Sequence, residues 1–160
     1  MMFCSTTLAV MTLFGMADAP STTGLPAHIG KYPFEPVACV SFFEEPLVSE
    51  AIVAAAGEEA LDFVESLDAA ALVVEKEDAL IVVACEEGNC GKANAALAIT
   101  PLGKLVALCL YAADGGHGAE PGTVRWITEK QEHRLAAGGP RAGCPHDSDQ
   151  FIDAYANARL

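Results

Sequence analysis

Between Pro46 and Leu67 apolar residues return every three or four positions: Leu47, Val48, Ala51, Ile52 and Ala55, then Leu61, Val64 and Leu67. That spacing predicts amphipathic helix, and Gly57 divides it into two short pieces. Beyond Asp68 the period changes. AAALVVEK, DALIVVAC, NAALAIT and KLVALCLYA are apolar or alternating runs separated by charged, Gly or Pro residues, a pattern that predicts successive strands. The links Glu77-Asp78 and Pro101-Leu102-Gly103 are far too short for a parallel crossover, so the sheet is expected to be mostly antiparallel. A polar loop from Asp114 to Gly122 leads to a further strand over Thr123 to Thr128, which carries Trp126. The last run, SDQFIDAYANARL, sets Phe151, Ile152, Tyr155 and Leu160 at helical spacing. Short amphipathic helices before a central, mostly antiparallel sheet, with a C-terminal helix after it, define an α+β domain.

The amino-terminal part reads differently. Residues 1–19, MMFCSTTLAVMTLFGMADA, hold an apolar stretch from Thr7 to Ala17, no Lys or Arg and a single acid, Asp18. They are expected to be a signal peptide, which makes the mature protein periplasmic or secreted. Over residues 20–45, Pro20, Pro26, Pro33 and Pro36 with Gly24 and Gly30 suppress both helix and central strand. The expectation is an irregular lead-in followed by one domain over 46–160. Away from the amino terminus no apolar run reaches the length of a membrane span, so no membrane insertion of the mature chain is expected.

Charge narrows the function classes. The 160 residues include 9 Lys+Arg against 22 Asp+Glu, a formal net charge of −13, which excludes a basic nucleic-acid surface. At 52% hydrophobic and 19% charged, the chain has enough apolar material for a packed core, which excludes wholesale disorder. The sequence holds no HExxH, GxSxG, GxxxxGK[ST] or dinucleotide fingerprint. Glu44-Glu45, Glu58-Glu59 and Glu86-Glu87 are adjacent acids whose side chains point apart, and His28, His117 and His133 stand alone. No catalytic residue, cofactor or metal is therefore assigned, and the protein is not expected to be an enzyme.

Cysteine is the most informative residue type. Cys39, Cys85, Cys90, Cys109 and Cys144 lie beyond the expected signal, and their odd number leaves at least one thiol unpaired. Cys109, inside LVALCLY, is accounted for as a small core side chain and is expected to be free. Cys85 and Cys90 bracket Glu86-Glu87-Gly88-Asn89, a turn length that favours a local disulfide. Chain entropy gives so short a ring about 2 kcal/mol, against about 4.7 kcal/mol for a Cys39 to Cys144 bridge, the companion pairing considered; other connectivities remain open. Zinc held by Cys85, Cys90, Cys144 and His146 is the competing use of these residues, and an oxidising compartment favours the disulfide. Cys144-Pro145-His146-Asp147 reads as a structural turn in which Asp147 or Ser148 caps the terminal helix, with His146 and Asp147 as secondary candidates for partner contact.

The stretch VVEKEDALIVVACEEGNCGKANAALAITPLGKLVALCLYA resembles the inhibitor of vertebrate lysozyme family, Ivy. The likeness lies in a strand, an acidic turn, a strand ending in Ala84-Cys85, four residues, Cys90-Gly91 and two more strands, with Trp126 in a later strand. The resemblance implies a periplasmic, dimer-forming protein with a central antiparallel sheet and helices on one side. It implies inhibition of c-type lysozymes by a disulfide-closed loop pushed into the catalytic cleft, with Cys85 and Cys90 as the loop's cysteines and Glu86, Glu87, Gly88 and Asn89 as its partner-binding tip. The family's loops typically read Cys-Lys-Pro-His-Asp-Cys, and their His hydrogen-bonds the lysozyme's catalytic carboxylates. Here Glu86 stands at the Lys position, Glu87 at Pro, Gly88 at His and Asn89 at Asp.

Two functions follow. The first is an exported binding protein that blocks a glycosidase cleft, its partner a cationic lysozyme or related muramidase drawn in by the acidic surface. The second is a periplasmic envelope binding or structural protein on the same scaffold that does not inhibit c-type lysozyme; the altered tip speaks for it.

Overall fold

A computed structural model describes residues 24–136 and 143–157; the expected signal peptide, residues 1–19, lies outside them. Pro46, with its fixed backbone angle, begins α1 (Pro46–Ala56), which buries Val48 and Ile52 one turn apart. Gly57, at φ +90°, ends α1 and starts α2 (Glu58–Glu65), which buries Ala60 and Val64. Glu58 and Glu59 fall in the first turn of α2, where the helix dipole favours acids.

Seven strands form one antiparallel sheet: β1 (Ala69–Ala70), β2 (Val74–Lys76), β3 (Ala79–Cys85), β4 (Ala93–Ile99), β5 (Leu105–Ala112), β6 (Thr123–Thr128) and β7 (Glu132–Ala136). From β3 to β7 each strand pairs with the next in sequence, while β1 and β2 share the other edge of β3. The run read as one strand over AAALVVEK is thus two. Between them the Val73 N–H donates to the Lys31 carbonyl and the Gly30 N–H to the Val73 carbonyl, both at 2.8 Å, so the lead-in claims this stretch of edge.

Both faces of the sheet are covered, which is why β3 to β5 read as nearly unbroken apolar runs. Leu80, Val82, Leu97, Ile99, Leu108, Leu110 and Ile127 pack with the α1 and α2 residues and with Leu25, Phe42 and Phe43 of the lead-in. Ile81, Val83, Ala96, Ala98, Ala107, Cys109 and Trp126 form the opposite face, closed by Cys144 and by α3 (Ser148–Asn157) through Phe151. Phe151 lies 5.5 Å from Trp126 between ring centroids, an aromatic pair worth about 1 kcal/mol beyond its area. The implied arrangement with helices on one side is corrected here: α3 occupies the face that α1 and α2 leave bare. Asp147 caps α3, its Oδ1 accepting the Gln150 backbone N–H at 2.8 Å. No helix among the described residues is long and apolar enough to cross a membrane.

Candidate functional site

β3 and β4 end together at one edge of the core, with Cys85 directly opposite Asn94, and the seven residues between them must turn the chain around. Cys85 and Cys90 close that turn by a disulfide, with their Cα atoms 4.8 Å apart. Inside it the Glu86 N–H donates to the Ala93 carbonyl at 3.0 Å, Asn89 N–H to Glu86 at 2.9 Å and Lys92 N–H to Asn89 at 2.7 Å. Gly88 supplies the left-handed step, at φ +73°, that the reversal requires. Asp68, just before β1, reaches across to accept the Glu87 N–H at 2.6 Å. Glu86, Glu87 and Gly88 are exposed, and Asn89 and Cys90 half-buried. The tip therefore presents two solvated carboxylates and one side-chain amide on a backbone already fixed by its own hydrogen bonds.

Beneath the tip sits Asn94, fully buried at 0% exposure. Its Nδ2 donates to the Cys90 carbonyl at 2.7 Å, and its Oδ1 accepts the Cys144 N–H at 2.9 Å. Cys144 is in turn bonded to Cys109 on β5, Cα to Cα 5.7 Å. This corrects two expectations at once: Cys144 does not pair with Cys39, and Cys109 is not free. Cys109 is a core residue, as its surroundings in LVALCLY imply, but it points to the α3 face, where Cys144 crosses directly over it. Cys39 is itself disulfide-bonded, so none of the described cysteines is a free thiol, contrary to the unpaired sulfur expected from the count. The four residues weighed for zinc have their three sulfurs in disulfides.

His146 is half-buried two residues after Cys144, its N–H 3.5 Å from Gln150 Oε1. Asp147 is spent on α3, where both carboxylate oxygens engage Gln150. The structure thus brings the base of the 85–90 loop next to the strap carrying His146, but leaves the Asp147 carboxylate committed to the helix.

A second loop flanks the first. The Ala113 N–H donates to the Lys92 carbonyl at 2.6 Å, which ties residues 113–122 to the β3–β4 turn; Asp114 and Glu120 are exposed along it. His117 is no isolated surface histidine: its ring is buried, 4.8 Å from the Phe63 ring, and neither ring nitrogen has a hydrogen-bond partner among the described residues. Arg125 of β6, also buried, donates through Nη1 to the His117 carbonyl and through Nε and Nη2 to Glu132 of β7 at 2.9 and 3.1 Å. His28, the other buried histidine, lies 3.0 Å from Glu45 Oε1. The Arg125 hydrogen bond holds the Glu132 carboxyl below its usual range, with Arg134 adding to the effect. Burial pushes the His117 imidazole below its ordinary value, and the charges of Arg125 and Arg134 act in the same direction.

The sign follows from linkage. Unfolded His117 takes up a proton near its ordinary value of about 6.5, whereas the folded ring resists it, so stability from this group is complete above that pH and declines as pH falls below it. His117→Phe keeps the stack on Phe63 and removes the titration. In thermal denaturation from pH 8 to pH 5, the melting temperature of the parent is expected to fall more steeply than that of the variant; parallel curves contradict this assignment.

Asn94, Asp68 and the Arg125–Glu132 pair are site residues that sequence reasoning missed. Asn94 had one signal, a lone amide at the second position of an otherwise apolar strand. A family model for the inhibitor of vertebrate lysozyme (Ivy) matches residues 48–136, which run from within α1 to the end of β7 and contain the whole 85–90 loop. No curated protein and no solved structure matches the chain.

Proposed function

This chain belongs to the inhibitor of vertebrate lysozyme family, and we propose that it is exported and blocks a lysozyme cleft with the loop from Cys85 to Cys90. The family is one of lysozyme inhibitors rather than enzymes. The single observation that supports the loop as the contact is its construction: a disulfide-closed turn, exposed at Glu86 to Gly88, with one backbone hydrogen bond inside the ring and three more that tie it to Lys92 and Ala93. A loop ordered before encounter loses little freedom on docking, so more of its contact energy is realised as affinity.

The chemistry of the cleft sets what the tip can do. A c-type lysozyme holds one protonated carboxyl as general acid and one ionised carboxylate. A carboxylate from Glu86 or Glu87 accepts a hydrogen bond from the protonated acid but is repelled by the ionised neighbour, while the Asn89 amide offers a neutral donor and acceptor to both. With residues 1–19 and their single acid removed, the net charge of −12 attracts a cationic enzyme at long range and raises the encounter rate. The setting for this meeting is the periplasm or the medium outside the cell.

The second reading, an envelope binding or structural protein that leaves c-type lysozyme untouched, is favoured by the tip itself, where Gly88 has no side chain to offer the catalytic carboxylates. A turbidity assay on cell walls separates the two. Added protein is expected to slow lysis by a c-type lysozyme, less so as ionic strength rises from about 0.01 M to about 0.15 M. Undiminished lysis at a large molar excess overturns the inhibitory reading and leaves the second.

A further inference from the structure

We propose that Asn94 is the positioning residue of the 85–90 loop, a single buried amide that ties the loop's disulfide to the one that anchors the chain over the opposite face of the sheet. The inference rests on the reading of that loop as the partner contact only for its functional consequence; the structural claim stands apart from it.

An amide in the interior of an apolar sheet is unfavourable unless its groups are matched. Asn94 has Cys85 opposite it on β3 and Tyr111 opposite it on β5. Its two polar ends face two different backbone segments, neither of them part of the sheet ladder. The donor end holds the Cys90 carbonyl at the far side of the small ring, and the acceptor end holds the Cys144 N–H. Since Cys90 is bonded to Cys85 of β3 and Cys144 to Cys109 of β5, the amide closes a circuit from β3 through the loop to the strap and back to β5. The partners also fix which way the amide is turned, because a carbonyl can only accept and an N–H only donate.

Gly143 makes the approach feasible. A Cβ there would lie 2.6 Å from the Tyr111 ring and 2.8 and 2.9 Å from Oδ1 and Nδ2 of Asn94, and the residue sits at φ +109°. The strap can come this close to Asn94 only as glycine. Without the amide the ring from Cys85 to Cys90 would keep its sulfur bond but lose the anchor that sets its tilt relative to β4.

The test uses substitutions that separate the two ends. Asn94→Asp retains an acceptor for the Cys144 N–H but sets a carboxylate oxygen against the Cys90 carbonyl; protonation restores a donor at that position. Hydrogen exchange of the full-length oxidised protein is expected to show amide protection at Asn89, Lys92 and Ala93 about tenfold lower than in the parent at neutral pH, with protection at Cys144 and across β5 retained. Relative to the parent at each pH, the loop amides recover on acidification, a response that a merely space-filling role would not produce. Asn94→Ala, uncharged and smaller, is expected to lower protection at both the loop and Cys144, and carries the same measurement if the aspartate variant does not fold.

Unchanged loop protection in both variants, or a loss in Asn94→Asp that acid does not reverse, overturns the proposal. Inhibition of a c-type lysozyme is measured on the same samples. A loosened loop with undiminished inhibition leaves Asn94 as the clamp and instead overturns the loop as the inhibitory contact.

Discussion

Replacing Cys109 and Cys144 together by alanine is expected to lower the unfolding free energy by about 4 kcal/mol, more than opening the short ring from Cys85 to Cys90. The pair is separated by 35 residues, and the chain between them includes β6, β7 and the approach to α3, so cutting it returns a long loop to the unfolded ensemble. Both cysteines are also buried among Ala96, Ala107, Trp126 and Phe151, and the Cys144 N–H is one of the two partners of Asn94. Urea denaturation of parent and variant, read at equal slope, checks the number. A loss below about 1 kcal/mol would show that packing of α3 and the Asn94 hydrogen bond hold the strap in place without the sulfur bond.

The second large effect falls on function rather than stability. Cys85→Ser with Cys90→Ser opens a ring whose ends are only 5 residues apart, so the expected cost in unfolding free energy is about 2 kcal/mol. Inhibition of a c-type lysozyme is expected to weaken about tenfold or more, because the tip must then be ordered at the moment of binding. Measured together, a modest drop in stability with a large drop in inhibition identifies the ring as a preorganising device. Inhibition equal to the parent's removes the loop from the mechanism.

The sheet was legible because its strands are simple. β3, β4 and β5 are buried on both faces, which leaves continuous apolar runs with charged or Gly/Pro links between them. Gly57 and the helical spacing of Val48, Ile52, Leu61 and Val64 marked the two helices, although the structure buries Ala60 rather than Leu61 beside Val64. β7 was not legible: Glu132-His133-Arg134-Leu135-Ala136 is an exposed edge strand, and edges carry charge that hides their periodicity. Besides its backbone ladder with β6, it is joined to that strand by Arg125, a charge buried in β6 whose partner Glu132 lies on β7.

At the site, local information sufficed for the short ring from Cys85 to Cys90, since a turn brings its own ends together. Cys109 to Cys144 depends on α3 crossing to the second face of the sheet, which no local pattern encodes. Asn94 belongs to the same class: its two partners, Cys90 and Cys144, are 4 and 50 residues away and meet only once the strap is in place. His117 likewise reads as part of a solvated Gly-rich loop until Phe63 of α2 is seen to cover its ring.

Whether the tip enters the cleft is read from binding to a c-type lysozyme whose cleft is filled by a trimer of N-acetylglucosamine, with the oxidised secreted protein titrated calorimetrically in the presence and absence of saturating sugar. Entry of the Glu86 to Asn89 tip into the cleft predicts mutually exclusive binding, so the apparent Kd rises in proportion to the sugar concentration. An affinity indifferent to the sugar, or no binding to the empty enzyme, would contradict it.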